Sequence, residues 1–171
     1  TVIGDETSET VIIGINNPVD AGMNVDSTQD IFFNYGMARH FDILNPADGT
    51  VDNPINVEVQ AQDQYDNLVK NYSQNVTLDA TGSVTGAGLV TITNGEGNLN
   101  ILDQVSETSV LKLIDTATTG LGVSDTENVF FDHGVASQIV ILNPYDGSVG
   151  QSLQVDLEIQ DQYGNLVLTW Q

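Results

Sequence analysis

The chain has 171 residues, no cysteine, 24 acidic side chains and three basic ones, for a formal net charge of -21. Three cations cannot neutralise a nucleic-acid backbone, an anionic membrane surface repels the chain for the same reason, and no run of about 18 apolar residues is present to span a bilayer. Lack of cysteine removes disulfide and thiol chemistry, while 40% apolar residues suffice for a core.

In chain order, short strands are predicted at Phe41–Leu44, Ile55–Gln62, Leu68–Tyr72, Val76–Ala80, Leu89–Thr93, Asn98–Leu102, Val110–Asp115, Asn128–Phe131 and Leu153–Gln160. The alternation is clearest in INVEVQAQ, where Ile55, Val57, Val59 and Ala61 face one way and Asn56, Glu58, Gln60 and Gln62 the other. Val, Ile and Thr dominate these runs, and turn residues separate them in NPADG, DQYDN, ATGSVTGAG and NGEG. No long segment carries a helical apolar stripe. Roughly seven or eight such short, half-polar strands within about 98 residues predict an all-β chain, and a β-sandwich of immunoglobulin type rather than a closed barrel.

Superposing the chain on itself with an offset of 98 residues pairs Ser8–Ser73 with Ser106–Gln171 without a gap, and 25 of those 66 positions are identical. SET at Ser8–Thr10 returns at Ser106–Thr108, the Phe32–Phe33 pair at Phe130–Phe131, and ILNP at Ile43–Pro46 at Ile141–Pro144. QDQYDNLV at Gln62–Val69 returns as QDQYGNLV at Gln160–Val167, and Tyr72 aligns with Trp170. A period of 98 predicts tandem sandwich repeats in three parts. Residues 1–36 hold the last strands of a preceding repeat, 37–134 one complete repeat, and 135–171 the first strands of a following one. Unfinished outer parts imply either a piece of a longer repetitive protein or strands exchanged head to tail between copies. An exchanged composite would lack the equivalent of Gln74–Asn98.

The succession of Ala38, Phe41, Ile43 and Pro46, then Val57, Val59, Ala61, Asp63, Tyr65, Asn67 and Val69, resembles bacterial immunoglobulin-like repeats. Val76–Leu78, Ile92–Gly95, Glu107–Thr108, Leu111, Leu113, Phe131 and Gly134 extend the match. Such modules occur in invasin-type adhesins and surface-layer proteins. Asp66 stands where the pattern has glycine. The resemblance implies a structural or adhesive role outside the cell, on its surface, and carries no catalytic residues.

Residue chemistry points the same way. His40 aligns with Gln138 and His133 with Tyr35, so the repeat does not keep an imidazole at either place. No nucleophile elbow or HExxH is present, and GSVTGAG lacks the lysine and the βαβ setting of a phosphate loop. Oxygen-rich turns make calcium the candidate cofactor: Asp48 and Asp52 in NPADGTVDN, Asp63 and Asp66 in DQYDN, and Asp132 at the end of one repeat, expected to approach Asp161 in the next. The same residue types also serve as ordinary turn formers. Asn71 and Asn75 head two glycosylation sequons. The expected function is a structural module of a surface layer, fibre or stalk, whose partners are neighbouring repeats or further copies of itself. An adhesin module, or a spacer in a larger secreted enzyme, is the alternative.

Overall fold

A computed structural model describes residues 3–15, 22 and 26–168, and Trp170 lies outside them. The described residues form strands and no helix. In order these are β1 (Thr10–Gly14), β2 (Thr28–Phe32), β3 (His40–Leu44), β4 (Gly49–Thr50), β5 (Ile55–Gln62), β6 (Val76–Ala80), β7 (Gly88–Val90), β8 (Glu96–Ile101), β9 (Thr108–Ile114), β10 (Thr126–Asp132), β11 (Gln138–Ile141) and β12 (Leu157–Gln160).

Two sheets face each other between His40 and Asp132, one ordered β3-β5-β8 and the other β4-β10-β9-β6-β7. The period-2 pattern explains why they close. On β5, Ile55, Val57, Val59 and Ala61 turn inward, and on β9 so do Leu111 and Leu113. They meet Phe41 and Ile43 from β3, Val76 and Leu78 from β6, and Val129 and Phe131 from β10 in one buried cluster. Phe41 also packs edge-on against Tyr72, with ring centroids 5.6 Å apart. The chain is thus all-β, with its central part a β-sandwich.

Strand boundaries follow the pattern closely for β5 and β6, while β7 to β10 begin one or two residues earlier than expected. Leu68–Tyr72 is a correction. It pairs with β5 only through a single antiparallel bridge, Gln62↔Leu68, with Val69 N–H on the Ala61 carbonyl (2.9 Å), and then turns away as Tyr72 N–H closes onto Val69 (3.0 Å). A second difference is β4, two residues inside the expected turn, which pairs in parallel with β10 at Phe131↔Gly49 and Asp132↔Thr50.

Flanking the sandwich are two separate ladders. β1 pairs with β2 from Thr10↔Phe32, and β9 with β10 from Thr108↔Phe130, 98 residues on. Likewise β11 meets β12 from Gln138↔Gln160, as β3 meets β5 from His40↔Gln62. The pairings match, but the surroundings do not. Phe41 and Ile43 are 1% and 2% exposed, whereas Ile139 and Ile141 at the equivalent places are 68% and 65% exposed.

Candidate functional site

The turn after β5 is built around one carboxylate. Asp63 Oδ1 accepts the N–H groups of Tyr65 (2.9 Å) and Asn67 (3.1 Å), and the turn closes through Asp63 N–H to the Asn67 carbonyl (3.0 Å). This is the local chemistry for which Asp and Asn are favoured in turns. Asp66 holds the left-handed conformation at φ 65° that the tight reversal demands, and Gly164 holds it at φ 88° in the turn after β12.

What remains of the turn's polar groups reaches the segment before the sandwich. Asp63 Oδ2 accepts Gly36 N–H (2.6 Å), Asn67 Oδ1 accepts Ser8 N–H (2.8 Å), and Asn67 Nδ2 donates to the Glu6 carbonyl (2.7 Å). The same three bonds recur 98 residues later. Asp161 Oδ2 accepts Gly134 N–H (2.8 Å), Asn165 Oδ1 accepts Ser106 N–H (2.9 Å), and Asn165 Nδ2 donates to the Gln104 carbonyl (2.9 Å). We refer to these two arrangements as the first and second joints. Both glycines sit close to a carboxylate: a Cβ on Gly134 would lie 2.5 Å from Asp52 Oδ2, and one on Gly36 3.2 Å from Asp63 Oδ2.

Both aspartates are buried. Burial pushes the Asp63 carboxyl up, but the N–H donors of Gly36, Tyr65 and Asn67 together outweigh it and hold the group below its ordinary value. At Asp161 burial likewise opposes the Asn165 amide and the Gly134, Asn165 and Tyr163 N–H groups, and the donors again prevail. The carboxylates are therefore ionised, with their lone pairs directed to protein donors. Their chemistry is to fasten one segment to the next.

The remaining candidate ligands are dispersed. Asp48 Oδ1 accepts Phe130 N–H (2.8 Å), Asp132 Oδ1 accepts His133 N–H (2.8 Å), and exposed Asp66 lies 3.3 Å from His40 Nε2. Asp52 and Asp161 come together around Gly134, and Asp52 Oδ1 accepts Gln162 Nε2 (2.7 Å). Gly134, rather than Asp132, is the group that meets Asp161. Among the described residues no three histidine, cysteine or acidic side chains form a group that would hold a metal ion. Asn71 is exposed, and half-buried Asn75 accepts Ile92 N–H (3.3 Å). Gly36, Gly134 and Ser106 were not singled out as functional from sequence, although each is identical across the offset and that identity was the available signal.

No family model matches the chain, and no curated protein matches it. Among solved structures it is similar to a glycosyl hydrolase family 2 member from Bacteroides cellulosilyticus, at 11% identity and a TM-score of 0.52. The match covers 73% of this chain and 17% of that one. At this identity the likeness concerns the fold.

Proposed function

We propose that the chain is a structural element of an extracellular surface assembly, such as a layer, fibre or stalk, built from tandem immunoglobulin-like sandwiches with a period of 98 residues. The observation that supports this reading is the repeated joint: three hydrogen bonds from one D-x-x-x-N turn to the preceding segment, made twice at the same spacing. Bonds of this kind set the angle between successive units, which a load-bearing array needs and a loosely tethered binding domain does not. Residues 1–36, 37–134 and 135–171 are then the end of one unit, a complete unit and the start of the next, with neighbouring units or further copies as partners. The resemblance to bacterial immunoglobulin-like modules of invasin-type adhesins and surface-layer proteins fits this role and the cell-surface location.

Small-angle X-ray scattering tests the reading. The wild-type chain is expected to scatter as a stiff, extended particle, and the double variant Asn67→Ala, Asn165→Ala as a shorter, more flexible one. Identical profiles would remove the joint from the function. A second reading, spacer modules in a larger secreted enzyme, is favoured by the place of the similar sandwich within a much longer glycosyl hydrolase chain.

A further inference from the structure

In the sandwich, β3 and β5 form part of one inner wall and β9 and β10 part of the other, with β3 lying against both β9 and β10. The chain carries a second copy of each. β11 and β12 repeat β3 and β5, and β1 and β2 repeat β9 and β10, in the same register. Neither second copy is covered. Ile139, Ile141, Leu153, Val155 and Leu157 are between 47% and 68% exposed, whereas their equivalents Phe41, Ile43, Ile55, Val57 and Val59 are at most 6% exposed. On the other ladder Ile15 and Ile31 are exposed, and their equivalents Leu113 and Val129 are buried. These are contiguous patches, unlike the single apolar side chains scattered over an ordinary surface.

The sandwich itself shows what covers each face. β3 and β5 are covered by the β9–β10 ladder, and the free copy of that ladder is β1–β2. Val11 there replaces Ser109, whose buried hydroxyl has no partner, so the free ladder is the more apolar of the two. Within one copy the two ladders adjoin opposite ends of the sandwich, since the first joint lies where β5 ends and the second beside Asp52, just before β5 begins. We propose that the apolar face of β11 and β12 in one copy takes up the apolar face of β1 and β2 in a second copy, giving an open head-to-tail series. The proposal rests on the reading of the chain as an array element and deepens it by naming how copies join.

The composite lacks the equivalents of β6, β7 and the first half of β8, which close one side of the sandwich with β7 against β8. The two walls still face each other, but that side stays open. Association is therefore weaker than folding, reversible and dependent on concentration. Burial of the apolar faces drives it and the charge of -21 on each copy opposes it, so salt strengthens it.

Sedimentation equilibrium of the full chain over a wide concentration range tests it. In physiological salt the wild-type mass is expected to climb past twice 18.3 kDa without stopping at a dimer, and to climb less in low salt. Ile141→Glu and Ile31→Glu each spoil one face and are expected to stay monomeric, with unchanged circular dichroism because both side chains are exposed in the single copy. An equimolar mixture of these two variants keeps one intact pair of faces and is expected to form dimers and nothing larger. Ile12→Glu, on the outward side of β1, is expected to associate as the wild type does. A wild type that stops at a dimer, or a mixture that stays monomeric, would overturn the proposal. So would a wild type that stays monomeric, which assigns the faces to further strands of their own units. Joint stiffness, read by scattering from the dilute chain, is independent of that result.

Discussion

Gly134 shows how little room a joint leaves. Alanine there would place its Cβ 2.5 Å from Asp52 Oδ2 and 3.3 Å from Asp161 Oδ2, whereas at Gly36 the nearest atom, Asp63 Oδ2, is 3.2 Å away. Gly134→Ala must displace the exposed Asp52 carboxylate and Gly36→Ala presses on the buried Asp63 carboxylate, and each is expected to cost about 1 kcal/mol in a chemical denaturation experiment. Asp63→Ala leaves the N–H groups of Gly36, Tyr65 and Asn67 without their acceptor, and should cost about 1–3 kcal/mol. The sign of its pH dependence follows from the lowered carboxyl. The unfolded group titrates at its ordinary value and the folded one below it, so the contribution is complete above the unfolded value. It is lost as pH falls through the folded value. An acid titration of stability should therefore lose this decline, below about pH 4, in the alanine variant. Asp63 and Asp161 were legible as turn residues in QDQYDNLV and QDQYGNLV. Their partners were not, because a backbone N–H leaves no mark on composition.

At the scale of strands, what could be read was what the pleat enforces. INVEVQAQ and VTLDA alternate because each has one face in the core, and β5 and β6 begin and end where the pattern does. Leu68–Tyr72 has the residue types of a strand, yet Val69 is buried by a chain that curls back on β5, which alternation cannot distinguish from pairing. β4 was invisible for the opposite reason: two residues are too few to carry a period. The repeat offers an internal control on packing. Leu111 is buried in the sandwich, and its equivalent Ile13 is only half-buried on β1. Leu111→Ala is expected to cost about 2–5 kcal/mol, and Ile13→Ala less than about 1 kcal/mol, in the same denaturation assay.

For the whole molecule, a net charge of -21 with three cations means that compaction works against self-repulsion. Monovalent salt screens that repulsion, so the melting temperature should rise between low and physiological ionic strength, and a flat response would show that the acidic groups are neutralised another way. Residue types alone placed carboxylates in the turns, but which of them lie near one another depends on two loops more than 50 residues apart in sequence meeting at one end of the sandwich, as Ser106 and Asn165 do. The pairing of β4 with β10 acts at this scale too. The two strands run in the same direction, side by side, near the two ends of the sandwich, and Val51 N–H bonds the Asp132 carbonyl at 2.9 Å beside them. Force applied along the chain pulls β4 toward the N-terminus and β10 toward the C-terminus. The bonds between them are loaded together, in shear, and cannot be peeled apart one by one. A unit joined to its neighbours at both ends would then yield abruptly under tension, with the β4–β10 seam as its mechanical fuse.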